Sequence, residues 1–565
     1  MTLPARLFRW RGYDNGPEVM TFRIAQSYNT RRIRREHIEA ALTELPEGLD
    51  HTMCFVGLGD HGGGPTETQI AWCRENQDAF PGAQLVFSSP KRFFDAAAEQ
   101  NLSLPLVTGE LQFHAPGCYS VYRPVKTALR RAEHLLHQAE VMLDVDPAPD
   151  PAAETMLDEA WQRVCLHQFH DTLGGTCLPS AYRQVEDQIA AASAFADESL
   201  QYGLRRLLLE LPDDPMQRIV AFNASDTPFN DYSEFEPWLD SQAWQPHWRL
   251  LDAQGAAVPF QILQDEALIT VSNSRLLFKS QLAPGALGVF RIDTDGSGLK
   301  ASISAPITAR LEELRSGVGA NWTAISLDFA DTPAFSLPRL ELIPDLSDTW
   351  SHGRVWGDVV DRYHEGPITS PLWNAGCLAD RGPLRGAVLQ TGTIGQSILR
   401  QEWRVYADEA FVELRLSVHW HETQKLLKLT LPLPLPAQHR TDGILGGWLA
   451  RELNGRELPL RDGMLLDLGD SLNFGIVCPD IFAADVTPER VRLTLLRSPY
   501  MAHHEPIPAG GLRAVVSDQG VHEFRFRFFC DRAVDTDLLD HQAFALQRPL
   551  VLADLTRGMP ARDPQ

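Results

Sequence analysis

The sequence predicts a multidomain chain that passes from α/β to all-helical to all-β, and three changes of pattern along it predict this. Residues 1–110 alternate strand-like and helix-like runs. Residues 118–212 carry apolar side chains at spacings of three and four, as packed helices do. From about 213 onward short alternating runs are punctuated by Pro, Gly, Asn and Asp, which reads as large antiparallel β-sandwiches. A chain of 565 residues has room for two to four domains. The boundaries read as 1–115, 116–212 and 213–565.

The first part has a strand at 19–24, a polar helix over 31–45 and a buried strand at 52–58, TMCFVGL, running into GDHGGGPT. Pro65 suits the first position of a helix that continues over 66–77. A strand at 84–88 leads to a helix over 90–100, with Ser89 as its cap, and 104–111 is a further strand. Strand, loop and helix in turn imply a parallel sheet, but the units are too few to close a barrel. In the helical part, Tyr122, Val125, Leu129, Ala132, Leu136 and Ala139 form one stripe. DVDPAPDPA at 144–152 is a connection, and a last helix over 180–211 buries Tyr182, Val185, Ile189, Ala192 and Leu200. The β part includes runs at 219–222, 268–271, 411–420 and 524–529.

The net charge of −23 argues against nucleic acid or an anionic membrane as partner, since either needs a basic face. The eight cysteines are scattered and form no C-x-x-C pair, so a reducing cytoplasm is the default. The N-terminal residues show no apolar signal region, and no window of about 18 uncharged apolar residues occurs.

The stretch 157–177, LDEAWQRVCLHQFHDTLGGTC, carries the most chemistry. Leu157, Trp161, Val164, Cys165 and Phe169 read as one buried helix face, and Gly174 and Gly175 as its stop, so the helix ends near His170 and Asp171. A cation or metal-bound imidazole suits that negative end, whereas a carboxylate there needs a positive partner. His167, three residues earlier, points to nearly the same side as His170. The alternative is a core histidine beside an aspartate that caps a turn. Asp60, in the Gly59–Thr66 loop, follows a buried strand, where α/β sheets keep catalytic groups. A plain tight turn is its main rival, and a phosphate loop a weak one, since neither G-K-[ST] nor G-x-G-x-x-G is met. His419 and His421 share one strand face and read as surface histidines rather than a metal arm, and His503-His504-Glu505 reads as a surface loop at the edge of a cleft.

Several of these stretches together resemble glycoside hydrolase family 38, the α-mannosidases. LFRWRGYDNGPEVMTFR at 7–23 resembles the family's W-x-G-x-D-G segment, and VGLGDHGGGPT at 56–66 its G-D-G-G-G-G-P-T loop, with His61 in place of a glycine. GELQFHAPGCYS at 109–120 resembles the run before the family's helical bundle, and LHQFHDTLGGT at 166–176 its metal-ligand helix end. LSDTWSHG at 346–353, HWHETQKLLKLTLPLPL at 419–435 and LLRSPYMAHHEP at 495–506 resemble its sandwich region. The resemblance implies the end of a (β/α)7 barrel, a three-helix bundle and β-sandwich domains, and a retaining enzyme with a bound zinc acting on α-mannosides. It further implies His170 as a zinc ligand, Asp171 as a group contacting sugar hydroxyls and Asp60 as the general acid/base. The family's H-x-D pair has no counterpart, since none of the 18 histidines is followed by x-Asp. The nucleophile segment belongs upstream of residue 1. The expectation is therefore a chain that lacks the nucleophile and three zinc ligands and that pairs with an upstream polypeptide or with itself. The alternative is a non-catalytic carbohydrate-binding or structural remnant, and a metal-dependent hydrolase using His167 and His170 is a third reading.

Overall fold

The computed structural model describes residues 3–13, 16–59, 63–111, 115–239, 242–265, 274–296, 336–351, 367–503 and 514–556. Asp60, the run at 268–271, and His504 with Glu505 lie outside the described residues. The chain divides into two compact units, 1–113 with 447–449, and 114–446 with 450–565.

The first unit holds a small sheet of β1 (Leu7–Arg11), β2 (Glu18–Phe22) and β3 (Leu106–Thr108). β1 pairs antiparallel with β2 and parallel with β3, so the expected parallel sheet is reduced to one parallel pair among the described residues. The helices are α1 (Arg35–Ala41), α2 (Glu67–Glu75) and α3 (Pro90–Glu99). Ser89 Oγ accepts from the Arg92 amide as the cap of α3, as expected. α2 starts later than Pro65 predicts, because Thr66 and Gln69 close a capping box that fixes Thr66 outside the helix. The run 52–58 is not a strand: its ladder is a single bridge, Thr30 N to Gly57 O at 2.7 Å. Cys54 and Val56 pack instead against Ile33, Ile38 and Phe80. Nor is 84–88 a strand; Val86 and Phe87 are exposed.

The second unit begins with a helical region of α4 (Arg123–Val145), α5 (Ala153–His167), the single turn α6 (His170–Leu173) and α7 (Pro179–Leu209). The stripe Val125, Leu129, Ala132, Leu136 and Ala139 meets Leu157 and Val164 of α5 and Tyr182, Val185 and Ile189 of α7 in one core. This is the burial that the three-and-four spacing demands.

Every described pairing from residue 213 onward is antiparallel. One sheet runs in the order Leu372–Trp373, Arg385–Ile394, Ser397–Tyr406, Phe411–Trp420, Gly520–Asp531, Asn473–Val477, Gly463–Asp467, His439–Ile444. A second runs Arg339–Pro344, Lys425–Pro432, Arg490–Arg497, Ala483–Thr487, Leu458–Pro459. Alternate side chains of both, among them Trp403, Trp420, Leu427, Leu493 and Phe526, share one core, which makes a sandwich. Two smaller sheets, built on Gln217–Phe222 and Phe229–Phe235, share another around Ile219, Phe278 and Ile292. A last helix, α8 (Thr536–Gln547), is capped by Asp535.

Candidate functional site

α5 stops at His167, earlier than expected, because Phe169 (φ −55°, ψ 139°) turns the chain out of helical geometry. His170 then opens a new turn instead of closing the old helix, so the argument from the helix's negative end does not apply to it. The break also separates the two histidines. His167 is 6% exposed and its Nε2 meets Gln188 Oε1 at 2.7 Å, whereas the His170 side chain is 76% exposed. His167 is thus buried and paired with Gln188, while His170 is open to solvent. Cys165 and Phe169 are exposed, which corrects the expected apolar face.

The Asp171 carboxylate is also exposed, with Oδ1 3.5 Å from His170 Nε2. The Phe169 ring lies 4.2 Å from the His170 ring. The turn below them is held through its backbone. The Asp171 carbonyl accepts from Thr176 Oγ1 and Cys177 Sγ, both at 3.3 Å, and the Thr172 carbonyl accepts from Tyr182 Oη at 2.8 Å. Lys126 reaches up from α4 and donates Nζ to the carbonyls of Leu173 (2.8 Å) and Val121 (2.6 Å). Burial pulls its ammonium down to about 8, with the Cys118 and Asp518 charges opposing that shift. Gly175 has φ +83° and packs so closely that a Cβ there would sit 2.4 Å from the Val121 carbonyl oxygen.

The turn leans on Pro116–Tyr119, and this short helical turn gathers the other family-like stretches. Gly117 N donates to Trp350 O at 3.0 Å. Arg497, with no exposure, donates to Asp345 Oδ2 (2.6 Å), Ser347 Oγ (2.6 Å) and the carbonyls of Asp348, Ser351 (2.7 Å) and Gly117 (3.2 Å). Asp518 receives the Tyr122 and Arg123 amides at 2.9 and 2.6 Å and so caps α4 from nearly 400 residues away. Cys118 lies between the stretches, 3.7 Å from where a Gly174 Cβ would stand, and burial pushes its thiol up to about 11. Runs 115–122, 170–177, 345–351 and 497–503 therefore form one structure that carries His170 and Asp171 at its surface.

Residues 112–207 match the α-mannosidase middle domain, and residues 367–505 match the glycosyl hydrolases family 38 C-terminal domain. Over these residues the chain is similar to the α-mannosidases of glycoside hydrolase family 38. It is 25% identical over 99% of its length to human alpha-mannosidase 2C1, and it covers 52% of that protein. It is 23% identical to alpha-mannosidase G of Dictyostelium discoideum, over 79% of this chain and 44% of that one. The chain spans about half the length of the curated relatives it matches. Its fold is similar to the crystal structure of an alpha-mannosidase from Enterococcus faecalis V583, with TM-score 0.75 and 13% identity, over 98% of this chain and 72% of that one.

A zinc is implied by the family, and the described residues answer for part of it. His170 is an accessible imidazole beside a carboxylate, but no group of three or more His, Cys, Asp or Glu side chains stands together among the described residues. Catalytic zinc usually takes three protein ligands, so the described residues alone do not fit a complete site. His419 and His421 are exposed with rings 4.2 Å apart, on the surface as expected, while His503 is buried. Lys126 was the residue missed by pattern reading. A lysine one position after Val125, on the apolar stripe, was the available signal of a buried cation.

Proposed function

We propose that this chain is the later part of an α-mannosidase, a retaining glycoside hydrolase, and that His170 and Asp171 are its contribution to the sugar site. The observation that carries the reading is the exposure of these two polar side chains on a turn whose four carbonyls are all held by hydrogen bonds. Asp171 accepts hydrogen bonds from mannose hydroxyls, and His170 offers a nitrogen to a divalent ion completed by ligands that the described residues do not supply. Asp60 is assigned by resemblance as the acid that protonates the leaving oxygen and then activates water. The division at 1–115, 116–212 and 213–565 is part of the same reading. Eight free thiols support a reducing compartment, and no described helix is long and apolar enough to cross a membrane.

The test is hydrolysis of an aryl α-mannoside with zinc present, by this chain alone and by this chain mixed with a polypeptide bearing the H-x-D pair and the nucleophilic aspartate. Turnover in the mixture, lost on His170→Ala and lowered by Asp171→Asn at unchanged thermal stability, is the expected result. Turnover indifferent to both substitutions would remove the assignment. The absence of a three-ligand cluster among the described residues favours a second reading, a carbohydrate-binding remnant, which binds mannosides without cleaving them.

A further inference from the structure

Arginines recur at alternate positions on three neighbouring strands of the large sheet. Arg404 on Ser397–Tyr406 is paired with Glu413 on Phe411–Trp420, which is paired with Arg527 on Gly520–Asp531. Two residues along, Glu402 is paired with Arg415, which is paired with Arg525. The period of two puts all six side chains on one face. Like charges directly opposed across strands are destabilising, and Arg415 and Arg525 face each other with Glu413 and Asp480 as their respective carboxylate partners.

Three of the four guanidiniums have extensive protein partners. Arg527 donates Nε to Glu413 (3.0 Å) and Nη2 to Asp231 (2.7 Å), and is 2% exposed. Arg525 gives Nε and Nη2 to Asp480 at 2.9 and 3.0 Å, and Nη1 to the Leu546 carbonyl. Arg404 gives Nε to Glu402 at 2.6 Å and brings Nη1 within 3.6 Å of Glu234 and 3.5 Å of Glu413. Arg415 differs: its Nε donates to Glu413 at 2.7 Å, and its two terminal amino groups make no hydrogen bond among the described residues. All four line a cleft of about 240 Å³ that also takes in Asp231 and Glu234. Those two carboxylates are already engaged by Arg527 and Arg385.

We propose that this cleft binds a tetrahedral oxyanion, free or as the phosphate of a small sugar phosphate, between the forks of Arg415 and Arg404. A planar guanidinium with two free donors matches two oxygens of such an anion. A neutral sugar has no need of four guanidiniums, and the volume is below that of the usual cofactor pocket.

Calorimetric titration of the whole chain with inorganic phosphate, and separately with a hexose phosphate, tests this at constant ionic strength kept by chloride. Saturable binding is expected, weakened about ten-fold or more by Arg415→Gln, as loss of a charge-assisted pair of hydrogen bonds requires. Arg400→Gln is the control, because Arg400 lies on the same face outside the cleft and is 59% exposed at its side chain. It should leave the affinity unchanged. If Arg415→Gln does not fold, Arg415→Lys keeps the charge, loses the fork and should weaken binding likewise. A hexose phosphate binding much more tightly than phosphate identifies the sugar phosphate as the ligand; equal affinities identify the free anion. No saturable binding of either, or equal losses in the Arg415 and Arg400 variants, overturns the proposal.

Discussion

Replacing Arg497 with methionine tests whether the turn beneath His170 is held by the sandwich. The guanidinium is fully buried and donates hydrogen bonds to five groups among the described residues, one of them the buried Asp345 carboxylate at 2.6 Å. Methionine fills most of the volume but leaves that carboxylate buried without its cation. Removing one partner of a buried ion pair costs about 3–5 kcal/mol. Asp345 keeps the Ser347 amide at 3.0 Å, which places the expected loss near the lower end, about 3 kcal/mol. Adding Asp345→Asn removes the stranded charge and should restore about half of this, since a buried pair replaced on both sides costs far less than a pair broken on one. Urea unfolding of the three variants, read as the shift in midpoint at constant slope, gives the numbers. A loss below about 1 kcal/mol for Arg497→Met, or a double variant no more stable than the single one, would refute the reasoning.

Gly175→Ala should destabilise the helical region by more than Gly255→Ala, although both glycines have φ +83°. A Cβ at 255 meets open space and costs only the left-handed strain of about 1–2 kcal/mol, whereas one at 175 meets the Val121 carbonyl, so equal melting temperatures for the two variants would refute the contact. Burial, helped by Arg548, pulls the His134 imidazole down from 6.5 to about 4, and Arg548 Nε donates to its Nδ1 at 3.0 Å. Between those values the unfolded chain binds the proton and the folded one does not, so stability rises with pH through this window and is lost on acidification, by up to about 3 kcal/mol. His134→Gln should flatten the stability profile between pH 4 and 6.5; a profile of unchanged slope would show that His134 is not the group responsible.

What could be read in advance depended on how local its cause was. The stripe Val125 to Ala139 is buried as its spacing implied, because a helix face needs only neighbours three and four residues away. Phe411–Trp420 has the predicted limits for the same reason at period two. The pairing of His167 with His170 was misread because it assumed a continuous helix, and the break at Phe169 has no Gly or Pro to announce it. The run 52–58 had the composition of a strand, but a strand also needs a neighbouring backbone along its length, and here only its end finds partners, Gly57 in Thr30 and Leu58 in Gly64. Arg497 and Asp345 are 152 residues apart, and no periodicity links positions at that distance.

The same long-range contacts explain why a sandwich belongs to this site. A single helical turn of four residues cannot hold its own geometry, since helix nucleation is unfavourable and its few hydrogen bonds exchange readily with water. Here the turn borrows rigidity in two stages. Its carbonyls and Gly175 are fixed against α4 and the Val121 backbone, and the start of α4 is fixed in turn by Asp518 and by the Arg497 hydrogen bond to Gly117. His170 and Asp171 are thus exposed on a turn whose carbonyls are held, which suits the ligand-meeting role proposed for them. It follows that substitutions at Asp518 or Arg497, which lie in the sandwich sequence, act on the His170 turn through backbone position and leave its chemistry unchanged.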